Sequence, residues 1–165
     1  MRKIILIIND IRSSHNVGAL LRTADSMNVE KIIFSGYSPY PKIQNDDRLP
    51  HIIYKLTKDI SKTALGAEKY LKLEYAPDIL STLADLKKEG YAVISLEQAD
   101  NSIDIHELSS GEKSVLVIGN ELEGVDKQIL ELSDTIIEIP MLGKKESLNV
   151  ASATAIALYL IRYKK

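Results

Sequence analysis

A chain of 165 residues, 45% hydrophobic and 27% charged, can bury a sizeable core and lies in the ordinary globular range. It has no cysteine, which excludes disulfides and thiolate–metal sites, and its three histidines (His15, His51, His106) are too scattered for metal-ligand spacing. The net charge of −2 argues against a nucleic-acid binder, but residues 85–138 carry 13 acidic and 4 basic side chains, whereas the remainder carries 17 basic and 10 acidic. The basic part includes Arg12, Arg22, Lys42, Arg48, Lys55, Lys58, Lys62, Lys144 and Lys145. On charge alone these read first as solvated surface cations, with a nucleic-acid-binding face as the alternative.

The apolar run Ile4–Ile8 is too short for a membrane span or a secretory leader. We read Lys3–Ile8 as the first strand of a cytoplasmic protein, buried on both faces of a parallel sheet. Ser13-Ser14-His15-Asn16 then opens a helix reaching Met27, with Val17, Leu20, Leu21, Ala24 and Met27 on one face; either serine or Asn16 can cap it. Glu30–Phe34 is the next strand, ended by Ser35-Gly36. The proline-bearing loop that follows, Tyr37-Ser38-Pro39-Tyr40-Pro41 to about His51, has the length of a functional connection. Residues 59–70 read as a helix interrupted near Gly66, and Leu71–Tyr75 as a strand. Pro77 fits the first position of a helix to Glu89 that Gly90 closes. Tyr91–Leu96, Ser114–Ile118 and Thr135–Ile139 are three further strands, with a short helix over Asp126–Leu132. A last helix runs from about Ser147 to Tyr163, and its small first half (Ala151, Ser152, Ala153, Ala155, Ala157) suits close packing on both sides. There is no repeat or linker, so we expect one domain over 1–165. The alternation of strands and helices implies a mainly parallel sheet with helices on both faces.

Three segments put polar groups at the ends of apolar strand-like runs. They are Asn16-Val17-Gly18-Ala19-Leu20-Leu21-Arg22-Thr23-Ala24, then Gly119-Asn120-Glu121-Leu122-Glu123-Gly124, and then Ile139-Pro140-Met141 leading to Ser147-Leu148-Asn149-Val150-Ala151-Ser152. In open α/β sheets ligands bind beyond the carboxyl ends of the strands, so all three point to one crevice. Arg22 lies among small and apolar neighbours, where a guanidinium needs an anionic partner, either a structural carboxylate or a ligand. Glu121 is a candidate partner for it, or a surface charge. Gly119 and Gly124 have the glycine spacing of a Walker loop, but Val125-Asp126 stands where Lys-Ser/Thr is required, and no Gly-x-Gly-x-x-Gly occurs. Ser147 reads as a helix cap, and Asn149 falls inside the first turn, where propensity does not favour it.

Together, in order and at fitting separations, these segments resemble the signature motifs of the SpoU/TrmH-type RNA ribose 2′-O-methyltransferases of the SPOUT superfamily. Gly36-Tyr37-Ser38-Pro39 and Lys62-Thr63-Ala64-Leu65-Gly66-Ala67-Glu68 are similar to that family as well, so the resemblance covers essentially the whole chain. It implies an α/β knot, a sheet whose carboxyl-terminal part threads a loop as a trefoil, against the general avoidance of knots. It implies a single catalytic domain over 1–165 without the RNA-binding extension that many relatives carry. It also implies S-adenosylmethionine as methyl donor with no metal, and a structured tRNA or rRNA substrate. Leu96, Gly119, Ile139, Met141, Ser147 and Leu148 would line the donor pocket, and Asn16, Arg22, Glu121, Ser147 and Asn149 would form the catalytic group, with Glu121 and Asn16 holding Arg22. A homodimer is expected, formed partly by the last helix (Ala151, Ala155, Leu158, Tyr159) and the helix after Asn16. Two other readings stay open from the residues alone: a non-catalytic RNA-binding module, and a flavodoxin-like nucleotide-binding protein.

Overall fold

Lys3–Asn9 forms β1, which needs both faces covered because Ile4 through Ile8 are all essentially inaccessible to solvent. In the computed structural model, which describes residues 1–164, it lies inside a seven-stranded, all-parallel sheet of order β3-β2-β1-β6-β4-β7-β5. The other strands are β2 (Lys31–Ser35), β3 (Leu73–Ala76), β4 (Ala92–Leu96), β5 (Ile103–Asp104), β6 (Lys113–Ile118) and β7 (Thr135–Glu138). Alternate side chains of β1 supply two cores. Ile4, Leu6 and Ile8 pack with Leu20, Leu21, Ile60 and Leu158 under α1 (Ser14–Ser26), α2 (Pro50–Ala64) and α5 (Val150–Tyr163). Ile5 and Ile7 pack with Leu83, Leu86 and Ile129 under α3 (Ile79–Lys88) and α4 (Lys127–Leu132). Helices therefore cover both faces, as the alternating pattern predicts.

Local structure departs from the sequence expectation in four places, one being that Pro77 lies outside α3, which Asp78 caps by accepting from the Ser81 amide at 3.1 Å. The second helix is not 59–70 but α2, which begins at Pro50 and ends at Leu65 in a left-handed conformation; a separate 3-10 turn covers Ala67–Lys69. Pro50 is a helix-opening residue, its missing N–H being one that the first turn leaves unpaired anyway, and here it is masked by the other prolines of the preceding loop. β5 is only two residues long, too short for any alternation to show. Of the caps expected for α1, Ser13 is the one used, accepting from the Asn16 amide at 3.2 Å, which leaves the Asn16 side chain free for other work. At α5 the cap is Asn149, not Ser147: its Oδ1 accepts from the Ala151 amide at 2.9 Å, and the helix starts at Val150.

The small residues of α5 let it lie close against α1, with Thr154, Ala157, Leu158 and Ile161 buried inside the chain. Leu158 is fully buried in the core, so it cannot contribute to a subunit interface as expected; the outward face presents Ile156, Tyr159 and Tyr163. Arg162 ties this helix down by donating to the Met27 and Asn28 carbonyls at 3.0 and 2.8 Å.

α1 is fixed just as closely against α2. At Gly18 a methyl group would overlap Thr63 Oγ1 and the Ile60 carbonyl, so the two backbones meet where only hydrogen fits. Thr63 Oγ1 also donates to the His15 carbonyl at 2.9 Å. We expect Gly18→Ala to destabilise the protein by about 1–3 kcal/mol through overpacking, although alanine is the better helix former. Urea unfolding would show this as a lower midpoint with unchanged slope.

Candidate functional site

Because β6, β4 and β7 are neighbours, their carboxyl ends open together into a cleft of about 640 Å³. Leu96 enters it from β4, Gly119 to Leu122 from the loop after β6, Ile139 and Met141 from the loop after β7, and Ser147 to Val150 from the entry to α5. All six residues expected to line a donor pocket (Leu96, Gly119, Ile139, Met141, Ser147, Leu148) are on its wall. Asn16, Glu121, Ser147 and Asn149 are there too; Arg22 is not.

The glycine pair of the second motif makes a tight backbone turn. Asn120 and Gly124 exchange N–H···O bonds of 2.9 and 3.0 Å, and Gly124 adopts a φ of 75°. A Cβ on Gly119 would strike the Gly124 carbonyl, and one on Gly124 would strike the Glu97 carboxylate. Asn120 holds this turn from within: its Oδ1 accepts from the Leu122 and Glu123 amides at 2.7 and 2.9 Å. Its Nδ2 donates to the Asp10 carbonyl at 3.0 Å and to the Tyr37 hydroxyl at 2.5 Å. The Walker-like spacing is thus that of a self-bonded turn.

Three side chains from the three motifs form one chain of hydrogen bonds. Glu121 Oε1 accepts from Asn16 Nδ2 at 3.0 Å, and Asn16 Oδ1 accepts from Asn149 Nδ2 at 3.1 Å. Asn149 Oδ1 then caps α5. A carboxylate only accepts, so its charge dictates which end of Asn16 faces it, and hence which end of Asn149 faces Asn16. Glu121 Oε2 also accepts from the Arg12 amide at 3.2 Å. Partial burial pushes the Glu121 carboxyl up, but the bonds from Asn16 and from the Glu121, Arg12 and Ser13 amides outweigh it and hold it below its ordinary value.

Glu121 is therefore not the partner of Arg22. Six residues past Asn16, Arg22 is turned about 240° around α1 and displaced about 9 Å along it. It is exposed, and among the described residues it makes no ion pair. Arg48, by contrast, is not a free surface cation. It pairs with Asp46 at 2.6 Å, donates to the Tyr40 and Pro41 carbonyls, and lies 3.4 Å over the Tyr40 ring, which stacks on Phe34 and Tyr75. Arg48 holds the Asp46 carboxyl down to about 2. The long loop is thus braced from inside.

Two site residues escape the motif reading. Glu97 and Gln98 follow β4 and join the two loops that frame the cleft: Glu97 Oε2 accepts from the Val125 amide at 2.7 Å, and Gln98 Nε2 donates to the Glu146 carbonyl at 3.0 Å. The rule that marks the other motifs, polar residues at a strand end, marks these as well. Glu138 and Glu146 add further carboxylates to the wall. Among the described residues no three His, Asp or Glu side chains converge as metal ligands, and no helix is long and apolar enough to cross a membrane.

A family model described as the SpoU rRNA methylase family matches residues 3–159. The chain belongs to that family. It is 30% identical over 161 residues to a TrmH-family protein of Staphylococcus saprophyticus, covering 98% of this chain and 59% of that protein. It is 28% identical over 158 residues to a tRNA (guanosine(18)-2′-O)-methyltransferase of Aquifex aeolicus, covering 96% of this chain and 68% of that one. It spans about three fifths of the length of the staphylococcal relatives it matches. The solved A. aeolicus TrmH/SpoU tRNA-modifying enzyme superposes with a TM-score of 0.80 at 26% identity, over 98% of this chain and 75% of that one. An AdoMet-bound rRNA methyltransferase from Sinorhizobium meliloti shares the fold, with a TM-score of 0.79 at 21% identity over 98% and 57%. This chain has the SPOUT-type α/β fold, and its strand order differs from the 2-1-3-4-5 order of a flavodoxin-like sheet.

If the Glu121 charge sets the direction of the hydrogen-bonded chain, Glu121→Gln removes that direction and lets both asparagine amides turn over. The cap of α5 is then lost, at a cost of about 1 kcal/mol. Hydrogen exchange should show faster exchange at the Ala151 amide, with the β1 amides still protected. The wild type should lose the same protection on acidification. The folded carboxyl is depressed, so its contribution is complete above the ordinary glutamate range and disappears as pH falls through the lowered value.

Proposed function

We propose that this protein transfers a methyl group from S-adenosylmethionine to a ribose 2′-hydroxyl of a tRNA or rRNA, in the cytoplasm. The observation that carries this reading is the cleft at the ends of β6, β4 and β7, walled by all three motif segments and crossed by the Glu121–Asn16–Asn149 chain. Its composition suits the donor. Leu96, Ile139, Met141 and Leu148 offer apolar contacts for an adenine, the Gly119 turn offers backbone polar groups, and Glu97, Glu138 and Glu146 on the wall favour a cation. The name of the A. aeolicus relative and the AdoMet-bound structure of the S. meliloti protein support the same reaction and donor.

When bound, S-adenosylmethionine supplies a methyl group on a sulfonium, a donor that is already activated. The protein's share is then mainly alignment, which is worth roughly 7–11 kcal/mol when the reacting atoms are well placed. Ser147 and Asn149 position the ribose, and Asn16 and Glu121 hold the Asn149 amide in a single orientation. Arg22 binds a substrate phosphate or orients the hydroxyl, as a planar guanidinium with several fixed donors is suited to do. Because Arg22 points away from the cleft of its own chain, we place it at the cleft of a second copy, in a homodimer that exposes α1 and the outer face of α5 (Ile156, Tyr159) to its twin.

Isothermal titration with S-adenosylmethionine should show binding that a chelator leaves unchanged; folded protein that binds in neither condition rules out the donor assignment. Arg22→Ala should reduce methyl transfer at least 100-fold while donor affinity stays within about twofold, because charge contacts made at the reacting group act on rate. Near wild-type transfer by the folded variant would make Arg22 structural. Light scattering at micromolar concentration should return twice the chain mass of 18.4 kDa. A fully active monomer would contradict the shared site.

A further inference from the structure

Three of the basic residues that the site does not use share one exposed helix face. α2 carries His51, Tyr54, Lys55, Lys58 and Lys62 at spacings that place all five within about 100° of arc, along about 16 Å of helix. They lie opposite the buried Ile60 and Ala64, and all are exposed; Tyr54 is 69% accessible. Lys62 is paired with Asp59 at 2.7 Å, but among the described residues Lys55 and Lys58 have no carboxylate within ion-pair distance. Lys58 Nζ stands 6.0 Å over the Tyr54 ring. On the opposite side of the sheet, α3 and α4 present Asp85 and Glu131 behind the acidic caps Asp78 and Asp126. There Asp85 and Glu131 are each paired with a lysine of their own helix, Lys88 and Lys127, whereas Lys55 and Lys58 have no such partner among the described residues.

The stripe also leads somewhere. Its carboxyl-terminal end, at Lys62, adjoins Thr63, whose hydroxyl holds the His15 carbonyl; the next residue, Asn16, is on the wall of the cleft. The contact at Gly18 locks α2 and α1 in this relation.

We propose that the outer face of α2 is the track on which the RNA backbone lies as its target nucleotide enters the cleft. Lys55 and Lys58 each neutralise a phosphate, and Tyr54 stacks on an unpaired base. The proposal rests on the reading of this chain as an RNA-modifying protein. Lysines at helical spacing match a phosphate chain by charge, and an exposed tyrosine between them matches a base face, which all four bases share.

The test compares Lys55→Gln/Lys58→Gln with a control pair on the other face, Lys88→Gln/Lys127→Gln, using unfractionated tRNA and S-adenosylmethionine as separate probes. Removal of the α2 pair should lower tRNA affinity at least tenfold at low salt and reduce the slope of log affinity against log salt by about 1.5. Donor affinity should not change, and the control pair should have no effect. Tyr54→Ala should weaken tRNA binding several-fold, and Tyr54→Phe should restore it. An unchanged slope in the α2 variant, or an equal loss in the control, overturns the track. Wild-type protein that binds the donor but no tRNA overturns both the track and the RNA part of the function. Wild-type protein that binds tRNA through α2 but not the donor overturns the methyl-transfer reading and leaves the track standing.

Discussion

One carboxylate orders the site. Glu121, on the turn after β6, accepts from Asn16, and through it fixes Asn149 105 and 133 residues away along the successive links. Carboxylates cannot donate, and primary amides have one donor end and one acceptor end. A single charge therefore gives direction to two neutral side chains and, through Asn149, to the first turn of α5. The loops that meet in the cleft are otherwise far apart in the chain, and this linkage makes them one surface. It also explains why a residue with poor propensity for a helix interior stands where it does: Asn149 precedes the helix and caps it.

The cleft around that linkage depends on close backbone approach. Gly119 and Gly124 let the turn after β6 fold flat on itself, and Glu97 fills the space that a side chain on Gly124 would take. Gln98, the next residue, reaches the loop before α5. Adjacent positions at the end of β4 thereby set the separation of the two framing loops. Gly18 plays the corresponding part for α1 and α2, so that the helix bearing Asn16 cannot slide along its neighbour. The site is closely packed and hydrogen-bonded where it meets the sheet, while the Met141–Leu148 loop presents mostly exposed side chains.

Electrostatically the molecule is divided. Carboxylates gather at the cleft wall and around α3 and α4, while uncompensated cations lie on α2 and at Arg22. For the function and track proposed above, such a division lets the chain favour a cationic donor in its cleft and a polyanion on its face, two demands that a uniformly basic surface would set against each other. Arg48 shows that a basic residue in the right stretch of sequence need not belong to that face: bonded to Asp46 and stacked on Tyr40, it stiffens the loop instead.

The amino-acid sequence by itself determined the parallel α/β sheet, the strand ends that carry the site, and the family. Runs such as Ile4–Ile8 can only be buried on both faces, and polar residues placed just after such runs must collect at one edge of the sheet. The six cleft residues were legible through the resemblance of the motifs to that family, and they sit at strand ends or just ahead of α5. The sequence did not contain the start of α2, which a proline among other prolines conceals, or the two-residue β5, which is too short to have a period. Only the tertiary structure decided which polar side chains pair. Glu121 meets Asn16 and not Arg22 because six residues along a helix turn a side chain to another face, while three loops from distant parts of the chain converge on one point in space.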